Sequence, residues 1–78
     1  MSIEVLFPVL SNENPDAEGV VATWFVEDGE SLRQGQLIAE VQMDKVSADV
    51  EAPVAGVIRR IVAEGGAIRQ NLAIAVIE

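Results

Sequence analysis

The sequence predicts an all-β domain with pseudo-two-fold symmetry. Three observations support this fold class: short aliphatic runs separated by turn residues, the lack of any helical period, and an internal repeat. The chain has 78 residues, which is enough for one compact domain and no more. We therefore expect residues 1–78 to form a single domain, and we expect that domain to be excised from a longer chain.

Runs rich in β-branched and aliphatic residues predict six strands, at residues 3–7, 20–26, 36–42, 46–51, 57–62 and 73–77. The turns between them contain residues that tolerate positive φ, namely Asp28-Gly29, Gly35, Gly65-Gly66 and Asn71. The polar stretch 11–18 predicts an exposed loop. No segment of ten or more residues keeps a clean helical period, so no helix is expected.

The two halves of the sequence resemble each other. Residues 19–29 correspond to 56–66, and after a one-residue deletion residues 32–35 correspond to 68–71. Chance similarity among turn-rich strands is the alternative explanation, but the Arg-Gln pair that both halves place before a turn residue argues against it. The repeat therefore predicts two related β-units packed about a pseudo-two-fold axis.

The junction between the halves predicts a hairpin with Asp44 and Lys45 at its two central turn positions. In that register the apolar pairs are 43–46, 41–48 and 39–50, and the polar pairs are 42–47 and 40–49. A half-buried antiparallel pair needs this separation of faces, and a slip of one residue would destroy it. Lys45, the only lysine of the chain, must then point to solvent.

The composition excludes several function classes. The chain has 13 acidic and 5 basic side chains, a net charge of −8, which disfavours nucleic-acid binding and favours a basic or mixed protein partner. It has no His, Cys or Tyr, so the usual general bases and nucleophiles are absent and no autonomous enzyme is expected. No apolar run is long enough for a membrane span, and no metal site is expected.

The stretch from Gly19 to Ile77 resembles the biotinyl/lipoyl carrier domains, and more specifically the lipoyl domains of dihydrolipoyl acyltransferase components of 2-oxo acid dehydrogenase complexes. Phe7-Pro8-Val9-Leu10 is similar to the Met-Pro-x-Leu opening of that family. The other matching residues are Gly19, Trp24, Val26, Asp28-Gly29, Gly35, Leu37, Glu40-Val41, Asp44-Lys45-Val46, Ala52-Pro53, Gly56 and Gly65. The resemblance implies a flattened β-barrel or sandwich of two four-stranded antiparallel sheets, with the lysine on a hairpin tip.

The resemblance also implies a cofactor, lipoic acid, in amide linkage to Lys45. Asp44 and Val46 would then be recognised by the lipoylating enzyme, and the alternative for Asp44 is that it only forms the turn. Trp24, Phe25 and Val26 are expected in the core or half-buried beside it. The acidic residues Glu40, Asp49 and Glu51 are expected on a solvated face that serves either solubility or docking.

The implied function is that of a non-catalytic swinging-arm carrier within an acyltransferase. It would shuttle acyl groups and reducing equivalents between decarboxylase, acyltransferase and dihydrolipoyl dehydrogenase active sites. The implied partners are a lipoate ligase or lipoyl transferase, a thiamine-diphosphate-dependent 2-oxo acid dehydrogenase and dihydrolipoyl dehydrogenase. The isolated domain would be a monomer, working in the bacterial cytoplasm or the mitochondrial matrix.

Two alternatives to lipoylation stay open in the sequence. Biotin carriers have a Met-Lys-Met tip, whereas Asp44 and Val46 flank the lysine here and fit the lipoyl pattern of Asp-Lys-(Ala/Val). Met43 departs from the Thr or Ser that lipoyl domains usually have and leans toward the biotin pattern. The second alternative is an unmodified lipoyl-like adaptor. The loop at 11–18 is longer than the acyltransferase pattern, which leaves open which partner enzyme reads it.

Overall fold

The chain folds into eight strands in a computed structural model that describes residues 2–78, and that range contains no helix, hence none that could cross a membrane. The strands are β1 Ile3–Leu6, β2 Glu18–Trp24, β3 Ser31–Leu32, β4 Leu37–Met43, β5 Val46–Glu51, β6 Gly56–Arg60, β7 Ala67–Arg69 and β8 Ala73–Ile77. The all-β prediction is confirmed. The pattern missed β3 and β7 because strands of 2 and 3 residues are too short to show alternation.

The strands form two antiparallel four-stranded sheets, with strand orders β1-β8-β6-β3 and β5-β4-β2-β7. Inward-facing aliphatic side chains of both sheets form one core cluster, which includes Val21 and Val41 from one sheet and Ile58 and Ile77 from the other. Because the chain has no cysteine, this aliphatic packing and the sheet ladders must stabilise the domain. The expected sandwich of two four-stranded sheets is confirmed.

The pseudo-two-fold axis is visible in the backbone hydrogen bonds. The Gly29 N–H donates to the Ile58 carbonyl at 2.8 Å, and the Gly65 N–H donates to the Val21 carbonyl at 2.7 Å. Both glycines have positive φ, 87° and 80°, which glycine adopts without steric cost. In each half, a turn glycine therefore donates to a strand of the other half. The pseudo-two-fold axis relates strand β6 to strand β2 and the turn at Gly29 to the turn at Gly65.

The same equivalences correct the position of the deletion in the repeat. Val21 pairs with Val41 and Thr23 pairs with Glu40, so Ala22 is the extra residue of a β-bulge in β2. Strand β6 pairs with β8 without such a shift. The additional residue of the first half is therefore Ala22, whereas the sequence comparison had placed the deletion after residue 29. A bulge leaves no mark in residue identity, so the alignment could not locate it.

The residues 24–26 divide between the core and the surface. Trp24 and Val26 are buried as expected, at 8% and 4% exposure, but Phe25 is 52% exposed. The expectation that Phe25 would be core or half-core is wrong. Its neighbours alternate as in an extended chain, so the side chain between two inward residues must point outward.

Candidate functional site

Lys45 lies at the tip of the hairpin formed by β4 and β5. The ladder pairs Met43 with Val46, Val41 with Ala48 and, one position further, Glu40 with Asp49. This is the register predicted from the separation of apolar and polar faces. Lys45 is exposed, so the two strands hold it in a fixed place while its side chain is free in solvent.

The turn owes its shape to Asp44 and not to a glycine. Asp44 has φ of 55°, a left-handed conformation that aspartate tolerates better than most residues. The Gln42 side-chain amide donates to the Asp44 carbonyl at 3.4 Å, a long hydrogen bond across the turn. Asp44 and Val46 are both exposed beside the lysine, Val46 to 49%.

Met43 has a structural reason for departing from the usual Thr or Ser. It is 6% exposed and belongs to the core cluster, where an apolar, flexible side chain packs well. It therefore lies on the inner side of the hairpin, while the residues displayed next to Lys45 are Asp44 and Val46.

A groove with a cavity volume of about 410 Å³ lies beside the tip. One wall is the hairpin, with Met43, Asp44 and Val46; the other is the connection from β1 to β2, with Leu10, Ser11, Asn14, Ala17 and Glu18. We call residues 10–17 of this connection the tip loop. The loop predicted at 11–18 thus lies beside the hairpin tip that carries the lysine, although Glu18 is already the first residue of β2.

Sequence reasoning missed Gln70, which fastens the tip loop. Its side chain is 4% exposed. Its Oε1 accepts from the N–H groups of Leu10 and Ser11 at 2.9 and 3.0 Å, and its Nε2 donates to the carbonyls of Ser11 and Asn14 at 2.7 and 3.2 Å. The only feature of the sequence that pointed to Gln70 was the Arg-Gln pair shared by the two halves of the repeat. It could not show that Gln70 is buried while its counterpart Gln34 is exposed.

Acidic side chains lie along the outward face of the sheet that carries the tip. Glu40 lies directly opposite Asp49 across the β4–β5 ladder, an arrangement of like charges that is unfavourable for stability. Asp49 and Glu51 are exposed, and Glu40 is half-buried. On the tip loop, Asp16 has a 3.6 Å contact with Arg69, with both side chains largely exposed. The solvated acidic face expected from the sequence is therefore present.

Comparison with known proteins places these features in a family. The family model described as "Biotin-requiring enzyme" matches residues 11–77. The chain is 36% identical over 74 residues to the dihydrolipoyllysine-residue acetyltransferase component of the pyruvate dehydrogenase complex of Zymomonas mobilis, which covers 95% of this chain and 16% of that protein. It is 43% identical over 47 residues to the corresponding component of the acetoin cleaving system of Pseudomonas putida, covering 60% of this chain and 13% of the relative.

A solved structure supports the same assignment. The lipoyl domain of the 2-oxoglutarate dehydrogenase complex of Azotobacter vinelandii superposes with a TM-score of 0.78 at 28% identity, covering 97% of this chain and 95% of that domain. The chain spans about one sixth of the length of the curated relatives, 16% and 17% for two of them. It therefore belongs to the biotinyl/lipoyl carrier domain family, as a non-catalytic lipoyl domain of the kind found in the acyltransferases of 2-oxo acid dehydrogenase complexes.

Proposed function

We propose that Lys45 is the attachment site of lipoic acid and that the domain works as a swinging-arm carrier. It shuttles acyl groups and reducing equivalents between a thiamine-diphosphate-dependent 2-oxo acid dehydrogenase, an acyltransferase and dihydrolipoyl dehydrogenase. The observation that carries the proposal is that the only lysine of a lipoyl-domain fold sits on an exposed hairpin tip of fixed register.

The surroundings of Lys45 fit a covalently attached arm. An arm that visits three different active sites needs an anchor that protrudes and a base that does not move. The exposed Lys45 side chain meets the first need, and the ladder from Met43–Val46 down to the Glu40–Asp49 pair meets the second. Because Met43 is buried in the core, the base of the turn is anchored two residues before the proposed attachment position.

Attachment is an acyl transfer to the Lys45 amine. Nζ attacks the carbonyl carbon of an activated lipoyl group, the C–N bond forms, the bond to the leaving group breaks, and Nζ gives up a proton. The product is a neutral amide, so the tip loses its positive charge while Asp44 keeps its negative one. When attached, the lipoyl group would supply a strained dithiolane that takes up an acyl group and two electrons, and dihydrolipoyl dehydrogenase would reoxidise the dithiol that remains after the acyl group leaves for coenzyme A.

The domain contributes position and recognition. Tethering Lys45 to the complex raises the effective concentration of the arm at each active site. We propose that Asp44 and Val46, the exposed neighbours of Lys45, are read by the lipoate ligase or lipoyl transferase. The acidic residues of the tip sheet, Glu40 and Asp49, attract the more basic surfaces of partner enzymes.

We also propose that the parent protein is a dihydrolipoyllysine-residue acyltransferase, working in the bacterial cytoplasm or the mitochondrial matrix. The support is the similarity to such components in bacteria, among them those of Zymomonas mobilis and Rhizobium meliloti.

The intact mass of the protein made in lipoate-supplied cells tests the modification. A gain of about 188 Da, located by peptide mapping to Lys45, is the expected result. A gain of about 226 Da would indicate biotin, and no gain in cells with active lipoylation would favour an unmodified adaptor; either outcome overturns the proposal.

A further inference from the structure

Gln70 is the one buried polar side chain in the part of the chain that the structure describes. It uses both ends of its amide, accepting from the backbone N–H groups of Leu10 and Ser11 and donating to the carbonyls of Ser11 and Asn14. These partners lie 56 to 60 residues away in sequence. One side chain therefore provides the backbone of the tip loop with four hydrogen bonds that its own residues cannot make.

The other contacts of the tip loop are at its C-terminal end or exposed. The Gln70 backbone N–H donates to the Ala17 carbonyl at 3.1 Å, and Asp16 has the exposed 3.6 Å contact with Arg69. Within the loop, the Ser11 hydroxyl accepts from the Asn14 N–H and the Asn14 side chain accepts from the Asp16 N–H, but both bonds are exposed. Leu10 and Ala17 are only partly buried against the core. Exposed backbone bonds and few apolar contacts are typical of segments that open locally. The Gln70 side chain thus supplies the part-buried hydrogen bonds that hold the first half of the loop.

The residues that Gln70 holds are also residues of the groove. Leu10, Ser11 and Asn14 all line the cavity beside the hairpin tip, facing Asp44 and Val46 across it. The position of the loop sets the width of this groove and the placement of the loop's acidic side chains, Glu13 and Asp16, relative to the lysine. The tip loop contains two acidic residues and no basic one, and Arg69 beside it offsets one of these charges through its contact with Asp16. The surface that the loop completes is therefore negative and complementary to a basic partner.

We propose that Gln70 is a positioning residue for the acylation step: it holds the tip loop in the conformation that a basic decarboxylase surface reads. The inference rests on the proposed function, since it concerns the enzyme that acylates the arm. Lipoylation is expected not to need Gln70, because the tip is fixed by the β4–β5 ladder and by the buried Met43. A Gln70 variant should therefore be lipoylated normally but acylated less efficiently by the decarboxylase.

The experiment compares Gln70→Val with Gln34→Val, the same change at the exposed counterpart in the repeat. Each lipoylated domain is offered to the decarboxylase of its complex, and amide hydrogen exchange is followed in parallel. Gln70→Val should speed exchange at Leu10 and Ser11 and raise KM for the domain about tenfold, because the competent loop conformation becomes a minor one. The value of kcat should change much less. Gln34→Val should behave as wild type in both measurements.

The variant Ile58→Val tests whether a general loss of stability could explain a higher KM. It weakens the core of the opposite sheet without changing the tip loop. If this variant raises KM as Gln70→Val does, lost stability explains the effect and the inference is wrong. If Gln70→Val does not fold, Gln70→Glu, which keeps the acceptor for Leu10 and Ser11, is measured in the same way and should also raise KM.

Two further results would overturn the inference. Unchanged exchange at Leu10 and Ser11 would show that Gln70 does not hold the loop. Faster exchange with an unchanged KM would show that the decarboxylase does not read it. Failure of the proposed function appears elsewhere, as the absence of a lipoyl mass gain on wild-type Lys45, and the exchange measurement does not depend on it.

Discussion

Lys45 is exposed and contributes no packing to the core, so the fold does not need this side chain. Lys45→Arg keeps the charge and length but replaces the amine with a guanidinium that does not form the amide. We expect this variant to lose lipoylation completely while its free energy of unfolding changes by less than about 0.5 kcal/mol. Intact mass and chemical denaturation check the two parts. A lipoylated peptide from the variant would contradict the assignment of Lys45.

Gly19 is the opposite case: the fold needs glycine here because there is no space for a side chain. A Cβ at this position would lie 2.4 Å from Cζ of the buried Phe7 ring and 2.6 Å from the Gln42 carbonyl oxygen. Neither neighbour is free to move, since Phe7 is fully buried and Gln42 belongs to the ladder that carries the tip. Gly19→Ala should therefore destabilise the domain by about 3 kcal/mol, at the upper end of overpacking effects.

Gly29→Ala is the matched control for this prediction. A Cβ at Gly29 would meet nothing within 4 Å, and only the positive φ of 87° opposes the change. Its cost should be about 1 kcal/mol. Denaturant unfolding of both variants measures the difference, and equal losses would mean that the close approach at Gly19 relaxes without cost.

At the scale of elements, the β4–β5 hairpin is the best determined part of the molecule. Its alternation of apolar and polar pairs predicted the register, because burial of one face penalises every slip. Strands β3 and β7 were missed because strands this short cannot show an alternation of apolar and polar residues. The β2 bulge at Ala22 was also missed, because it arises from pairing with β4 and not from the identity of the residue.

A glycine inserted between Asp44 and Lys45 tests whether recognition needs this hairpin geometry. The insertion keeps both side chains but displaces the amine and breaks the Met43–Val46 pairing. We expect the rate of lipoylation to fall at least tenfold, or about 1.4 kcal/mol in the transition state.

A glycine inserted between Asn12 and Glu13 is the control for that experiment, because it lengthens the tip loop without moving the lysine. Its lipoylation rate should match the wild type. If the tip insertion is lipoylated as fast as the wild type, the enzyme reads the local sequence and not the position of the lysine on the hairpin.

At the scale of the whole molecule, the excess of 13 acidic over 5 basic side chains should steer association with a basic decarboxylase surface. Exposed charges are screened over about 8–10 Å at physiological salt. We therefore expect the rate of reductive acylation of the domain to fall as ionic strength rises. Free lipoamide, which has the same dithiolane and no acidic surface, should show little dependence on salt.

The tip loop should contribute to the choice of partner in the same assay. Deletion of Asn12 and Glu13 removes one acidic side chain and shortens the loop that flanks the groove. We expect this variant to be lipoylated normally but to change its preference among decarboxylases. A rate that responds neither to salt nor to the deletion would show that the partner reads neither feature, and the loop would then be a passive connection.

The sequence by itself determined the fold class, the hairpin register and the exposure of Lys45, because these follow from periodicity and turn chemistry among residues close in sequence. It also showed that the halves are related, but the pairing in the structure was needed to place the extra residue at Ala22. Only the tertiary structure decided which copy of the repeated Arg-Gln pair is buried. Gln34 and Gln70 have the same preceding residue, yet only Gln70 meets a loop 56 to 60 residues away. Contacts between distant segments depend on how the two halves pack, and a local pattern does not contain that information.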